Sequence, residues 1–352
     1  MIVAGIDIGS RAAKAVVMEK GHVLSSVICD TGPDSIKTSQ MTMAKAMNGL
    51  SLKDIQYVVA TGYGRVLVPF ANENISEISC HARGINWYFP EVRTILDMGG
   101  QDCKAINCDG SGRVVNFIMN DKCAGGTGRF LEMIADVLNV SLEELGELSL
   151  SSRNAIPFNT VCAVFAKSEA ISLFRKGVAK GDIIAGLHEA ISERSLNLLK
   201  RVSIEKDFSI TGGIAKNRGM VSRISEKIGM KPLLCEDPQI VGALGAALFA
   251  AERCAEGGAV GMKINYGYTD ATGDYFITVD TGLCDSCGEC VKACPAGLFV
   301  MMPDDSNQLK AEIKAEERKG LAFSCPGFDS CRREHQINCH SICSKGAINH
   351  SW

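Results

Sequence analysis

The stretch Leu96-Asp97-Met98-Gly99-Gly100-Gln101-Asp102 ends an apolar run with an aspartate and two glycines. A similar pattern stands at Gly5-Ile6-Asp7-Ile8-Gly9-Ser10. In such turns the backbone N–H groups and a hydroxyl can bind phosphate, and the carboxylate can hold magnesium or its water ligands. The repetition indicates a duplicated phosphate-binding hairpin, although each stretch alone also fits an ordinary turn.

A third glycine-rich turn lies at Thr211-Gly212-Gly213-Ile-Ala-Lys-Asn217. Its glycines would let the backbone approach a flat base or ribose. The chain has neither a P-loop lysine motif nor a dinucleotide fingerprint. Strand-like and helix-like runs alternate over residues 1–253, which predicts an α/β architecture around these three turns.

Composition limits the protein class. The chain has 352 residues and a net charge of −3, so two or three domains are expected, with neither nucleic acid nor an anionic membrane as partner. No apolar run approaches the length of a membrane-spanning helix, and the N-terminus has no basic flank typical of a secretory signal. We therefore expect a cytoplasmic protein.

Eight of the 16 cysteines follow residue 280, after a turn-rich stretch predicted as a linker at 254–274. A compartment that keeps thiols reduced gives them no role in disulfides. The spacing Cys-x2-Cys-x2-Cys-x3-Cys-Pro is typical of cubane iron–sulfur binding, whereas zinc normally takes two separated pairs. The cysteines with this spacing are Cys284, Cys287, Cys290 and Cys294.

A second set completes the pattern with irregular spacing: Cys325, Cys331, Cys339 and Cys343. If the fourth cysteine of each set ligates the other cluster, one cluster takes Cys284, Cys287, Cys290 and Cys343, and the other takes Cys294, Cys325, Cys331 and Cys339. Residues 275–348 resemble a two-cluster bacterial ferredoxin, which implies that 275–352 form a small α+β domain with one or two [4Fe-4S] clusters. Five residues between Cys325 and Cys331 replace the usual two, which leaves the second cluster open, and His335 and His340 remain alternative ligands.

Two further cysteines each precede a helical pattern, in Asn120-Asp-Lys-Cys123-Ala-Gly-Gly-Thr-Gly-Arg-Phe and in Asn159-Thr-Val-Cys162-Ala-Val-Phe. A helix N-terminus stabilises a thiolate and an anionic cluster. Two ligands per chain are half of what a cubane needs, which suggests a dimer with a cluster on the two-fold axis. Without the surrounding pattern, both would be interpreted as ordinary buried cysteines.

The three turns together resemble the acetate kinase, sugar kinase, Hsp70 and actin superfamily, which implies two ribonuclease H-like domains that close over ATP. The resemblance implies catalytic roles for Asp7, Asp97 and Gln101 near magnesium, the attacking water and the phosphates. It also implies the following nucleotide-binding residues: Gly9, Ser10, Lys14, Gly99, Gly100, Asp102, Gly212, Gly213 and Asn217.

Residues 1–252 closely resemble the ATP-dependent activators of 2-hydroxyacyl-CoA dehydratases and the ATPase subunits of benzoyl-CoA reductases. The matching stretches are GIDIGS, TGYGR, EISCHARG, DMGGQDCKAI, MNDKCAGGTGRFLE, FNTVCAVFAKSEAI, TGGIAKN and PQIVGALGAAL. The resemblance implies a homodimer, or a heterodimer with a similar subunit, bridged by one [4Fe-4S] cluster through Cys123 and Cys162. ATP with Mg²⁺ would drive electrons from an upstream reductant to an acyl-CoA reductase or dehydratase component.

Two departures from the family pattern stand within the core, at Gly125 and Lys167, where Ala and Glu are expected. The larger departure is the ferredoxin-like tail, which suggests that the electron donor has been fused to the ATPase. The tail and the stretch VRTILDMGGQDCKAI slightly favour the aromatic branch. Two alternatives stay open: a small-molecule kinase or chaperone-like ATPase with a structural cluster, and a redox sensor whose cluster controls ATP binding.

Overall fold

The computed structural model describes residues 1–120, 127–158, 163–255, 263–270, 273–304, 308–318 and 320–351. Cys123, Cys162 and the stretch 256–261 at the centre of the predicted linker lie outside these residues. Within the described ranges, no helix is long and apolar enough to cross a membrane.

The first lobe is built on a five-stranded sheet. Its elements are β1 (Ile2–Ile8), β2 (Ala12–Glu19), β3 (His22–Asp30), α1 (Ser35–Met47), β4 (Tyr57–Thr61), β5 (Glu73–Asn74) and α2 (Glu77–Tyr88). The strand order is β3-β2-β1-β4-β5, and β1 pairs antiparallel with β2 but parallel with β4. Such mixed pairing requires the crossover through α1 between β3 and β4.

The second lobe repeats this plan on a four-stranded sheet. Its elements are β6 (Thr94–Met98), β7 (Cys103–Cys108), β8 (Val114–Asn120), α3 (Gly128–Leu138), α4 (Leu142–Ser151), α5 (Ala163–Arg175), α6 (Lys180–Lys200), β9 (Phe208–Thr211) and α7 (Arg218–Ile228). The strand order is β8-β7-β6-β9, with β6 antiparallel to β7 and parallel to β9. α8 (Val241–Ala255) then returns to the first lobe.

Equivalent residues of the two sheets occupy equivalent register positions. Asp7 pairs with Lys14 across β1 and β2, and Asp97 pairs with Lys104 across β6 and β7. Asp7 also lies beside Thr61, as Asp97 lies beside Thr211. The duplicated α/β core expected from the repeated turn is therefore confirmed.

Two helices join the lobes. α8 packs on one face of the first sheet through Leu244 and Ala247, against Val3 and Val59. α2 presents Ile85 to a separate cluster on the second sheet that includes Ile95 and Ile106. The opposite face of the second sheet is covered by α3, α5, α6 and α7. The ends of β1 and β6 are thereby held toward one another.

The tail is a small α+β unit with its own core. Its elements are β10 (Lys263–Asp270), β11 (Gly273–Asp280), α9 (Glu289–Ala293), β12 (Phe299–Pro303), β13 (Leu309–Ile313), α10 (Leu321–Ser324), α11 (Phe328–Glu334), α12 (Cys339–Ile342) and β14 (Ile348–Ser351). β10, which falls inside the predicted linker 254–274, pairs along its whole length with β11 and buries Tyr266 in the tail core. Cysteines Cys290, Cys294, Cys325 and Cys339 belong to the same core.

The contact between α2 and α8 depends on a glycine. A methyl group on Gly245 would overlap the carbonyl oxygen of Cys80, which leaves no room for a side chain. We expect Gly245→Ala to lower the free energy of unfolding by about 1–3 kcal/mol, because neither backbone can yield locally. Urea unfolding under anaerobic conditions measures this effect.

Gly32→Ala is the matched control, since the nearest atom to its added methyl group is the flexible Oγ1 of Thr38 at 3.6 Å. It should change the unfolding free energy little. Equal stabilities of the two variants would contradict the close approach of α2 and α8.

Candidate functional site

A cleft of about 460 Å³ lies between the lobes at the ends of β1 and β6. Its volume is typical of small-molecule sites. Every residue predicted to contact nucleotide lines it: Asp7, Gly9, Ser10, Lys14, Asp97, Gly99, Gly100, Gln101, Asp102, Gly212, Gly213 and Asn217. The fold thus brings three distant turns to one cavity.

The first hairpin places Asp7 at the floor of the cleft. Its carboxylate is buried and accepts a hydrogen bond from Lys14 Nζ at 2.9 Å. The Gly9 N–H donates to the carbonyl of Ala12 at 3.1 Å, which closes the turn and leaves Ser10 at its tip. A carboxylate paired with one ammonium keeps its second oxygen for a cation or water.

The second hairpin repeats this arrangement but contains a second aspartate. Lys104 Nζ lies 2.7 Å from Asp102 Oδ2 and 3.5 Å from Asp97 Oδ2, and both Asp97 and Lys104 are buried. Burial opposes ionisation of Asp97, but His81, Lys104 and a hydrogen bond from Thr211 outweigh it and hold the pKa of Asp97 below its usual value. This carboxylate is therefore charged at neutral pH.

A short chain of hydrogen bonds crosses from α2 to the second hairpin. The Thr211 hydroxyl donates to Asp97 Oδ1 at 2.9 Å and lies 3.0 Å from His81 Nδ1. Since the hydroxyl proton goes to Asp97, His81 Nδ1 must donate to the Thr211 oxygen. The other ring nitrogen, Nε2, takes no part in this chain of hydrogen bonds. His81 also lines the cleft.

Sequence reasoning missed His81, Thr211 and Lys104 as parts of the site. Lys104 could have been inferred from Lys14, because the two hairpins share an Asp-to-Lys spacing of seven residues. His81 stands in the EISCHARG stretch, but nothing in that stretch indicates that α2 meets the second lobe.

The third turn forms the far wall of the cleft. Gly212 has φ +83°, a conformation that favours glycine, and its N–H donates to the carbonyl of Pro238 at 2.9 Å. Asn217 caps α7 by accepting from the Met220 N–H at 3.0 Å, and its Nδ2 lies 3.4 Å from His188 Nε2. Burial, with a smaller effect of nearby Arg223, lowers the pKa of His188 to about 3.

These residues fit a magnesium nucleotide. A methyl group on Gly99 would lie 2.6 Å from Asp102 Oδ1, and one on Gly100 would lie 3.4 Å from Ser10 Oγ, so side chains there would fill the space between the hairpins. Backbone N–H groups offered by such turns suit phosphate, and the two facing carboxylates of Asp7 and Asp97 suit magnesium.

The first group of four cysteines, which lies around α9, consists of Cys284, Cys287, Cys290 and Cys343. Burial and the neighbouring thiolates of Cys284, Cys287 and Cys343 raise the pKa of Cys290 to about 11. The Ala347 N–H donates to Cys343 Sγ at 3.2 Å, a contact that stabilises thiolate sulfur. The structure thus brings Cys343 to the first three cysteines, as the cross-ligation pattern predicts.

The second group surrounds a cavity of about 230 Å³ lined by Cys294, Cys325, Cys331 and Cys339. A hydrogen bond from Cys339 lowers the pKa of Cys294, against the opposing effect of burial. Within the described residues no three His, Cys, Asp or Glu side chains converge on a point suited to one metal ion. Four thiols around a roomy cavity fit a cubane better than zinc, whose sulfur ligands lie only about 2.3 Å from the metal.

The two histidines predicted as alternative ligands differ in their position relative to the second cysteine cavity. His335 lines the second cysteine cavity, whereas His340 is outside its lining. The cavity is also lined by His350, which the sequence analysis did not single out and whose Nε2 lies 3.8 Å from Cys339 Sγ. Burial, with the nearby His340, lowers the pKa of His350 to about 4.

Cys123 and Cys162 lie outside the described residues, but the helices that follow them do not. α5 begins at Ala163, directly after Cys162, and α3 begins at Gly128. The first N–H groups of α3, on Gly128 and Arg129, donate to the carbonyls of Gly99 and Gly100 at 3.0 and 2.9 Å. The second hairpin of the cleft is therefore bonded directly to α3.

Comparison with known families settles the classification. A family model described as the BadF/BadG/BcrA/BcrD ATPase family matches residues 4–250. This chain belongs to that family. A second model, described as a 4Fe-4S binding domain, matches residues 276–299, which contain the first four cysteines of the tail.

Three relatives illustrate the match. The 2-hydroxyisocaproyl-CoA dehydratase activator of Clostridioides difficile is 41% identical over 73% of this chain and 97% of its own length. The (R)-2-hydroxyglutaryl-CoA dehydratase activating ATPase of Acidaminococcus fermentans is 40% identical over 72% and 98%. A benzoyl-CoA reductase subunit of Thauera aromatica is 32% identical over 72% and 94%.

Solved structures agree with the sequence match. The activating component of the A. fermentans (R)-2-hydroxyglutaryl-CoA dehydratase superposes with a TM-score of 0.70 at 38% identity, covering 72% of this chain and 99% of that one. The C. difficile activator with bound ADPNP also gives 0.70, at 41% identity, over 73% of this chain and 97% of that one. The predicted actin/Hsp70-like fold is confirmed, and the tail extends beyond the shared region.

Lys104 should matter for stability because it is paired with two carboxylates, those of Asp97 and Asp102. Lys104→Met should lower the free energy of unfolding by about 3–5 kcal/mol, since it removes the lysine partner of the buried Asp97 carboxylate and leaves only His81 and Thr211 beside it. A lowered folded-state pKa means that Asp97 stabilises the wild type above its unfolded pKa, near 3.9, and loses this contribution as pH falls through the folded value. Without Lys104 the folded pKa rises, so acid unfolding of the variant should begin at higher pH.

Lys104→Arg is the control, since it keeps the charge. Unfolding followed by circular dichroism from pH 7 to pH 3 compares the three proteins. If Lys104→Met matches the wild type throughout, the buried ion network does not stabilise the second lobe.

The two tail groups should load separately. Cys287→Ala should remove the cluster of the first group and Cys331→Ala that of the second, so each variant should lose about four iron atoms per chain. Iron analysis and electron paramagnetic resonance of the reduced protein measure this. Cys29→Ala, which removes a thiol on β3 outside both groups, should leave the iron content unchanged. Loss of all tail iron in one single variant would contradict separate sites.

Proposed function

We propose that this protein uses ATP to drive electrons from its ferredoxin-like tail, through a dimer-bridging [4Fe-4S] cluster, to an acyl-CoA-processing enzyme at low potential. The observation that carries the proposal is the pair of hydrogen bonds from Gly128 and Arg129 on α3 to Gly99 and Gly100 of the cleft. Through them, a change at the phosphate site moves the helix that follows Cys123.

In the cleft, Asp7 and Asp97 hold magnesium and orient the attacking water. Ser10, Gly99, Gly100 and Gln101 contact the β- and γ-phosphates, with Gly9, Lys14 and Asp102 supporting the two hairpins. Gly212, Gly213 and Asn217 border the adenosine. Phosphoryl transfer to water depends mainly on positioning and charge stabilisation, which these groups supply.

Cys123 and Cys162 from each of two subunits provide the four thiolates of the bridging site. A bound [4Fe-4S] cluster supplies one-electron chemistry there. Cys162 directly precedes α5, whose N-terminal N–H groups would stabilise a bound thiolate, whereas α3, which follows Cys123, is held at its start by the second hairpin. A similar subunit could replace the second copy, because the requirement is two ligands from each side.

The tail acts as the fused electron donor and is loaded by an upstream reductant. Its two cysteine groups share the sequence segment around Cys290 and Cys294, so the two sites lie close enough for electrons to pass between them. We place the ATPase at 1–253 and the ferredoxin-like unit at 263–352, with β10 included in the tail.

The acceptor is a separate component that acts on a CoA thioester. Identities of 41% and 40% to dehydratase activators, against 32% to the benzoyl-CoA reductase subunit, favour a 2-hydroxyacyl-CoA dehydratase component. This reverses the slight preference for the aromatic branch that the tail suggested.

The test uses a chain ending at Ala255 and the full chain, both purified without oxygen. The shorter chain should form dimers with about four iron atoms per two chains, and Cys123→Ala or Cys162→Ala should abolish that iron. Reduced full-length protein should lose its electron to a 2-hydroxyacyl-CoA dehydratase component only when ATP is present.

Gln101→Ala should lower ATP hydrolysis about 100-fold with unchanged iron content, because Gln101 is exposed in the cleft and contributes little to folding. An ATP turnover that continues unchanged in Cys123→Ala and never accompanies electron transfer would instead favour a kinase or a structural cluster. A shorter chain that holds no iron would refute the bridging site.

A further inference from the structure

Arg11 and Glu132 form an ion pair across the mouth of the cleft. Arg11 follows Ser10 at the tip of the first hairpin, and its Nε donates to Glu132 Oε1 at 2.9 Å. Glu132 lies on α3, one turn beyond the N–H groups that bond to the second hairpin. The pair therefore joins the first lobe to α3.

The surrounding backbone is stacked in three layers. A methyl group on Gly100 would lie 2.7 Å from Arg11 Cβ, and one on Gly128 would lie 3.4 Å from the carbonyl oxygen of Gly99. The tip of the first hairpin therefore rests on the second, and the second rests on the first turn of α3. Ser10, Arg11 and Gly100 all line the cleft, so a ligand bound against the two tips lies beside the Arg11 side chain.

Arg11 is suited to exchange partners. Its side chain is 47% exposed and Glu132 is 28% exposed, so their ion pair is weak and free to open. Its second acidic neighbour, Asp30, is 3.8 Å away and 86% exposed. The lysines at the cleft floor, Lys14 and Lys104, are already bound to aspartates.

A guanidinium binds phosphate through paired hydrogen bonds more strongly than it holds one exposed carboxylate. A terminal phosphate bound in the cleft against Ser10 and Gly100 would lie beside Arg11, whereas a nucleoside diphosphate ends one phosphate earlier. We propose that Arg11 is a coupling residue that leaves Glu132 for the terminal phosphate of ATP and thereby releases α3. This inference rests on the proposed ATP site and adds to it the residue that distinguishes ATP from ADP.

The first measurement is the affinity of the full-length protein for ADP and for a non-hydrolysable ATP analogue, by titration calorimetry. Arg11→Gln should weaken the analogue about five- to tenfold and ADP less than about twofold. Glu132→Gln should tighten the analogue about two- to fivefold, because Arg11 no longer has to leave a carboxylate.

The second measurement is hydrogen–deuterium exchange in the peptide that covers α3. In the wild type the analogue should speed exchange relative to ADP. In Glu132→Gln the exchange should be fast with either nucleotide. The double variant Arg11→Glu with Glu132→Arg restores the ion pair without a guanidinium on the hairpin, so α3 should stay protected even with the analogue.

Glu147→Gln is the matched control. It breaks an exposed ion pair between Glu147 on α4 and Arg218 on α7, whose charged groups are 3.6 Å apart. It should change neither affinity nor exchange. The proposal is overturned if Arg11→Gln weakens ADP and the analogue equally, or if Glu132→Gln leaves the analogue's affinity unchanged or weaker. If the wild type binds neither nucleotide, the proposed ATP site itself fails, which is a separate result.

Discussion

The Asp–Lys pairing at the ends of two equivalent strands is the constraint on which the cleft depends. Asp7 with Lys14 and Asp97 with Lys104 put two carboxylates at the floor of one cavity. Unpaired, such buried charges would repel each other and carry a large desolvation cost, so each needs its lysine on the neighbouring strand. Each hairpin therefore brings a lysine to its own buried aspartate, which weakens the repulsion between the two carboxylates.

The same hairpins connect the cleft to the rest of the molecule. The carbonyls of Gly99 and Gly100 accept the first hydrogen bonds of α3, and Thr211 links Asp97 to His81 on α2. Helix N–H groups that would otherwise lack partners are thus satisfied by the glycine turn of the second hairpin. Any displacement of that turn must either break these bonds or carry the start of α3 with it.

In the tail, the spacing of the cysteines along the chain, rather than the burial of charged groups, determines which side chains come together. Cys284 and Cys287 lie near Cys290 of α9, whereas Cys294, which follows α9, lines the second cavity. Cys343 lies near Cys290 instead, although it is 49 residues farther along the chain than Cys294. The five-residue spacing between Cys325 and Cys331 is accommodated by α11, which holds Cys331 in its middle and still brings it to the second cavity.

The sequence alone determined the motifs whose chemistry is local: the Asp–Gly turns, the Cys-x2-Cys-x2-Cys-x3-Cys-Pro run and the cysteines before helical patterns. Their residue types at short spacing already limit what they can bind, so the cleft lining and both cysteine groups were predictable. Only the tertiary structure decided the roles of His81, Lys104, Thr211 and the Arg11–Glu132 pair, and the assignment of β10 to the tail. These depend on contacts between segments far apart in the chain, which arise from packing of α2, α3 and β11 and leave no short-range pattern.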